Sequence, residues 1–243
     1  MPSVFLAVPS RGELAGGTAF ALTQCGSKHT VSIHLNYSSL LTLNFNQLWC
    51  QALNQQYRPD YFAMLHDDVV PLEPGWLDSM IAALEASEAD VVSAILPIKD
   101  VRGLTSTALY NPCTGMMQRL TMTEACQMPL TFTGSVKGPE WYVLPNTGLW
   151  FCKFGRWAEK ICFQQRDRIV KDHDGKYTAQ CFSEDWDFGV QCCNLGVQVA
   201  ATRSVRAVHK GRHDYPNFVP WGALTTDPDS VKWDPPHRVY RSF

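Results

Sequence analysis

Apolar runs and helical periodicity take turns along the first hundred residues. Val4 to Val8, Thr30 to Leu35, Tyr61 to Leu65 and Ala89 to Leu96 have the length of strands, and the second is rich in β-branched residues. Leu40 to Leu53 places Leu41, Phe45, Leu48, Trp49 and Ala52 on one helical face. A second helix, opened by Pro74-Gly75-Trp76, places Leu77, Met80, Ile81 and Leu84 on its own apolar face. Leu14 to Cys25 predicts a third, weakened by Gly16-Gly17. Strand and helix therefore alternate, which predicts an α/β fold: a largely parallel sheet with helices on both faces.

From Lys99 to about Pro139 the pattern dissolves into Gly, Pro, Ser and Thr, and short strands and loops are expected. Pro145-Asn146-Thr147-Gly148 then turns the chain into a strand, Leu149 to Cys152. Ser183 to Gly196 predicts a compact helix, with Ser183 as N-cap, Glu184 and Asp185 in the first turn and Gly196 as its stop. Val197 to Thr202 is a further strand, and Val205 to His209 continues toward Lys210-Gly211. The tail from Asp214 to Phe243 carries Trp221, Trp233, Tyr240 and Phe243, and is expected to wrap the domain or to act as a flap.

Composition narrows the function. The chain has 243 residues, 45% hydrophobic and 18% charged, with a net charge of -2, so it can build a substantial core. No basic stripe is present, and a dedicated nucleic-acid binder is not expected. There is no G-x-G-x-x-G and no G-x-x-x-x-G-K-[ST], which argues against a dinucleotide site or a P-loop. Nine cysteines without a C-x-x-C pair predict reduced, mostly buried thiols and no zinc site. No signal-peptide pattern or membrane-span-length apolar window appears, so a cytoplasmic protein without an integral membrane segment is expected.

Three features carry candidate chemistry. Asp67 and Asp68 follow the apolar strand Tyr61 to Leu65, at a strand end where α/β folds bind ligands. Adjacent carboxylates suit Mg²⁺ or Mn²⁺, and they equally suit capping of the turn before Pro71. Glu184 and Asp185, with Asp187 in the same turn, either favour the helix dipole or supply a general base. His209 ends an apolar strand and is either structural or a metal ligand with Asp68, with His213 as the fallback. His66 is assigned no chemistry, and Arg11 is either a surface residue or a contact to a nucleotide. The tryptophans at 141, 150, 157, 186 and 221 divide between core and sugar-stacking platforms.

Taken in order, these segments resemble the GT-A fold glycosyltransferases, family 2 type. Leu65-His66-Asp67-Asp68-Val69-Val70-Pro71 with Pro74-Gly75-Trp76-Leu77 looks like their metal and nucleotide-sugar segment. Ser183-Glu184-Asp185-Trp186-Asp187-Phe188 looks like their x-E-D segment, and Val208-His209-Lys210-Gly211 like their late histidine. The resemblance spans most of Val4 to Gly211. It implies one GT-A domain over residues 1–243. Residues 1–100 would bind the nucleotide-sugar, 101–213 would form the acceptor side with a smaller mixed sheet, and 214–243 the tail.

By position, the resemblance implies that Asp68, Asp67 and His209 hold Mn²⁺ or Mg²⁺. Pro9, Arg11, Asn46 and Asp67 would bind a nucleoside diphosphate-sugar donor. Asn146 and Gly148 would lie on the side of a hydroxyl acceptor (glycan, lipid or protein). Asp185, with Glu184 beside it, would be the base of an inverting transfer. The chain departs from the family at Asn36-Tyr37-Ser38, where many members have an Asp, and at Phe45, which replaces the Arg before Asn46. No Q-x-x-R-W follows Glu184-Asp185, so a processive synthase is not implied. A metal-dependent nucleotidyltransferase and a non-catalytic sugar- or nucleotide-binding module are the rival expectations.

Overall fold

The computed structural model describes residues 1–26, 28–171 and 173–222. In chain order the first half contains β1 (Ser3–Ser10), α1 (Gly16–Thr23), β2 (Thr30–Tyr37), α2 (Leu41–Leu53), β3 (Tyr61–Leu65), β4 (Val69–Pro71), α3 (Trp76–Ala86) and β5 (Val91–Ala94). Then follow β6 (Leu104–Asn111), β7 (Met116–Thr121), α4 (Met122–Gln127), β8 (Thr131–Thr133), β9 (Tyr142–Leu144) and β10 (Leu149–Lys153). The remainder is β11 (Arg166–Lys171), β12 (Tyr177–Phe182), α5 (Glu184–Asn194), β13 (Val199–Thr202), β14 (Ala207–Lys210) and β15 (Asp214–Pro216).

The result is a mixed α/β architecture with helices flanking several sheets. Seven strands form the central sheet in the order β2-β1-β3-β10-β5-β13-β8. β1 pairs in parallel with β2 and β3, and β5 with β13. β10 runs antiparallel between β3 and β5, and β8 runs antiparallel along β13. The expected parallel sheet is thus split by β10, a strand from later in the chain. The other sheets, β7-β6-β9, β15-β14-β4 and the hairpin β11-β12, are antiparallel in every pairing, where a mixed small sheet was expected.

Side chains alternate across each strand, so the central sheet feeds two cores. One face collects Phe5, Phe62, Met64 and Trp150, covered by Phe45, Leu48 and Trp49 of α2 and by Phe188 and Cys192 of α5. The other collects Leu6, Ala63, Leu65 and Phe151, covered by Trp76, Leu77, Met80 and Leu84 of α3. Burial on both faces explains why β1 and β3 read as nearly unbroken apolar runs. β2 is an edge strand and alternates between exposed and half-buried positions.

Some local expectations change. α1 starts only at Gly16, and Gly17 packs where a Cβ would stand 2.9 Å from Val70 Cγ2. Gly17 thus lets α1 approach β4 instead of merely weakening the helix, whereas Gly16 faces open space. Ser183 sits at the N-cap of α5, but its side chain makes no capping hydrogen bond. All nine thiols are free, yet only Cys152 and Cys192 are buried, while Cys50, Cys113, Cys162 and Cys181 are exposed. The tail contributes β15, whose partner is β14. Trp221 folds back on it, donating its indole N–H to the Pro216 carbonyl at 2.9 Å, and residues 223–243, with Trp233, Tyr240 and Phe243, lie outside the described residues. Among those described, no helix is long and apolar enough to cross a membrane.

Candidate functional site

A cavity of about 330 Å³ opens at the ends of β1, β3 and β10. Its floor is the turn from β3 into β4, closed by the Val69 N–H donating to the His66 carbonyl at 3.1 Å. The His66 N–H donates to the Gly148 carbonyl at 2.8 Å, which ties this turn to the start of β10. Gly148 is required there: a Cβ would stand 2.8 Å from Asn146 Oδ1 and 3.0 Å from Leu96 Cδ1. Asn146 is buried and donates its N–H to Ser93 Oγ, and its Oδ1 accepts from the Gly148 N–H at 2.7 Å. Asn146 and Gly148 both line the cavity.

Sheet pairing delivers His209. β4 and β14 run antiparallel with Val69 opposite His209, which brings the imidazole beside Asp68. His209 Nε2 lies 3.4 Å from Asp68 Oδ1. Its Nδ1 contacts the Pro97 carbonyl at 2.7 Å, which fixes the ring. Nδ1 donates to that carbonyl, so Nε2 is the nitrogen turned toward Asp68. Asp68 Oδ2 is engaged by the Lys99 ammonium, whereas Oδ1 is buried with no hydrogen-bond partner. Burial works to raise the Asp68 pKa, but His209, His66 and Lys99 outweigh it and hold the carboxyl below its usual range.

Asp67 is directed elsewhere. Its Oδ2 accepts the Arg11 N–H at 3.1 Å, and its carbonyl accepts from Thr18 Oγ1 at 2.8 Å. The structure therefore pairs Asp68 with His209 and spends Asp67 on the loop after β1, where Pro9 and Arg11 line the same cavity.

The fourth wall is the first turn of α5. Gly189 packs so tightly on β9 that a Cβ would stand 2.7 Å from Pro145 Cδ and 3.0 Å from Leu144 Cα. That contact seats Asp185, one turn earlier, against residues 146–147. Asp185 is buried, and its Oδ1 accepts from the Thr147 N–H at 2.9 Å and from the Thr147 hydroxyl. Glu184 stands beside it with its pKa pushed up to about 7, first by burial and then by the Asp185 charge, against a smaller opposing effect of Arg11. Two adjacent carboxyls, one held by hydrogen bonds and one protonatable near neutrality, can bind and release a proton.

Asn46 is not brought to the cavity. Its amide exchanges two hydrogen bonds with the Phe163 backbone, at 2.8 and 2.9 Å. Asn44 lines the cavity instead, donating to the Ser10 carbonyl at 3.1 Å. His66, which was assigned no chemistry, also lines it. Its Nε2 is buried without a partner, its ring lies 5.0 Å from Phe45, and burial lowers its pKa against the pull of Asp68 and Asp185. Lys99 is a further cavity residue that no sequence pattern marked; the nearest signal was its place just after β5 and Pro97. His213 is not part of the lining and packs against Tyr215.

Among the described residues no group of three or more His, Cys, Asp or Glu side chains is arranged to hold a metal ion. The donors nevertheless suit a hard cation that takes few protein ligands. Asp68 Oδ1 is an orphaned buried oxygen and His209 Nε2 faces it, while Mg²⁺-type sites commonly complete their shell with phosphates and water.

No protein-family model matches the chain, and no curated protein does. Among solved structures the chain is similar to the crystal structure of A197 from STIV, at 17% identity. That similarity covers 93% of this chain and 98% of the other, with a TM-score of 0.51. It is a likeness of fold.

Proposed function

We propose that the chain is a GT-A-type glycosyltransferase that moves a sugar from a nucleoside diphosphate donor to a hydroxyl acceptor. One observation carries this reading. The segments around Asp68, Asp185 and His209 are far apart in sequence, yet they converge on one cavity with Pro9 and Arg11. A chance acidic pair that only capped a turn has no reason to meet a second acidic pair and an oriented imidazole.

In this reading Pro9, Arg11 and Asn44 border the nucleotide, and Lys99 faces the diphosphate. Asp68 and His209 would hold a divalent cation, Mn²⁺ or Mg²⁺, which when bound supplies positive charge against the leaving diphosphate. The acceptor hydroxyl attacks the anomeric carbon as the bond from that carbon to the diphosphate oxygen breaks. Asp185, held by Thr147, takes the hydroxyl proton. Glu184 sets the charge of the pair: protonated, it leaves one negative charge beside the acceptor, and ionised, it leaves two. Asn146 and Gly148 shape the acceptor side of the cavity.

A thermal-shift screen of nucleoside diphosphates with and without Mn²⁺ tests the reading. A rise in melting temperature with a diphosphate, larger when Mn²⁺ is present, is the expected result. Release of pyrophosphate from a nucleoside triphosphate would instead make the protein a nucleotidyltransferase. No response to any nucleotide would leave a fold without transfer chemistry.

A further inference from the structure

A second cavity, of about 750 Å³, lies on the other side of the first turn of α5. Glu184 and Asp185 line the first cavity, and Trp186 and Asp187, the next two residues, line the second. Ser106 joins them: it lines the first cavity, and its carbonyl accepts the Trp186 indole N–H at 2.7 Å. The first turn of α5 therefore borders both spaces, and Ser106 links the two linings.

The second cavity has walls of a particular kind. Trp186, Phe182 and Tyr110 give it aromatic surfaces. Trp186 is fixed by the Ser106 hydrogen bond and by the Arg119 guanidinium, which lies 4.5 Å from the ring centroid and is not part of the lining. The opposite wall is the hairpin β11-β12, which supplies Arg166, Asp167, Arg168 and Gln180. An isolated two-stranded hairpin is marginal by itself. This one is anchored to α5 by Arg166, whose Nη2 lies 2.5 Å from Oδ1 of the buried Asp187.

Charge decides what such a space accepts. Two guanidiniums face two carboxylates across the lining, and both guanidiniums already have acceptors: Arg166 has Asp187, and Arg168 Nε donates to Gln180 Oε1 at 3.1 Å. The two positive and two negative side chains of the lining balance, so a phosphate or an acidic sugar gains no net attraction there. Aromatic faces beside planar amide, carboxylate and guanidinium groups offer a neutral sugar ring both its apolar face and its hydroxyl partners. The volume is that of an ordinary small-molecule site.

We propose that this second cavity binds a neutral saccharide, the part of the acceptor that leads away from the reacting hydroxyl. The proposal rests on the transferase reading above, and it narrows the acceptor from any hydroxyl compound to a glycan of at least two sugars. The reacting ring sits at Asp185, and the next ring lies against Trp186.

Isothermal titration with a panel of neutral di- to tetrasaccharides (gluco-, manno-, galacto- and N-acetylglucosamine series) tests it. At least one member is expected to bind the wild-type chain. Trp186→Ala should weaken that binding about tenfold, the scale of one lost aromatic platform. Because Trp186 also bonds to Ser106, Arg168→Ala, on the exposed hairpin, provides a second variant, with a several-fold loss expected. Binding of no panel member, equal affinity in both variants, or a preference for inorganic phosphate or acidic saccharides would each overturn the proposal. A nucleoside diphosphate titrated with Mn²⁺ into the same wild-type sample separates the two readings. Nucleotide binding without saccharide binding removes the glycan site and leaves the transferase. Saccharide binding without nucleotide binding does the reverse.

Discussion

Two adjacent acid pairs face the same cavity, and their surroundings drive them apart. Asp68 sits among His209, His66 and Lys99, which together hold its carboxyl below the usual range despite burial. Glu184 sits beside another carboxylate in a half-buried helix turn and is pushed up to about 7. The Asp68 carboxyl is held ionised, and the Glu184 carboxyl is brought to where it can take or lose a proton near neutral pH. Residue type does not distinguish them; the neighbours do. Where environments push titratable groups apart in this way, acid-base and electrostatic roles separate.

The sharpest way to break this contrast is at Asp185. Asp185→Asn keeps an oxygen for the Thr147 donors but cannot take a proton. Sugar transfer is expected to fall by roughly a hundredfold or more, the scale of a lost general base, while nucleoside diphosphate affinity stays. Steady-state transfer assays beside calorimetric nucleotide titrations measure both. Near-normal turnover would return Asp185 to a structural role at the start of α5.

At the other pair the expected effect is on binding. Asp68→Ala removes the orphaned oxygen opposite His209 and releases Lys99. The Mn²⁺-dependent part of nucleotide affinity should fall by about tenfold or more, leaving a metal-independent remainder. Calorimetry with and without Mn²⁺ reads this directly, and an unchanged Mn²⁺ response would remove Asp68 from the metal assignment.

Much of this arrangement was legible in the sequence, and the exceptions have physical causes. The first hundred residues were readable because β1, β3 and β5 are buried on both faces and α2 and α3 each keep one apolar stripe, so local period and tertiary burial agree. The place of β10 was not: a strand's period says that it pairs, not with which neighbour, and β10 inserts between β3 and β5 from far along the chain. The convergence of Asp68, His209 and Asp185 was an expectation drawn from order and flanks, and β4-β14 pairing and the Gly189 contact supply its geometry. Asn46 and Asn44 differ by two residues, a rotation of about 200° around a helix, so one faces Phe163 and the other the cavity. His66 lay inside a quoted segment but was given no role, and Lys99 carried no motif. They matter because of what stands opposite them, and opposition across a cavity leaves no local pattern.

The smallest predicted effect tests whether Glu184 differs from Asp68 at all. Its pKa rises from an ordinary 4.5 to about 7 on folding, so between those values the folded chain holds a proton that the unfolded chain has released. Stability linked to this group is therefore complete below about pH 4.5 and declines as pH climbs through 7. Glu184→Gln removes the ionisation and keeps the shape. At pH 8 the variant should melt above the wild type, by roughly 2–4 °C for each kcal/mol of relieved charge burial in a chain of this size. At pH 4 to 4.5 the two should melt together. Thermal unfolding of both proteins across this range gives the comparison. Parallel curves would mean that the Glu184 charge is as well solvated in the folded chain as in the unfolded one. The contrast between the two acid pairs would then rest on Asp68 alone, and Glu184 would have no part in setting the charge beside Asp185.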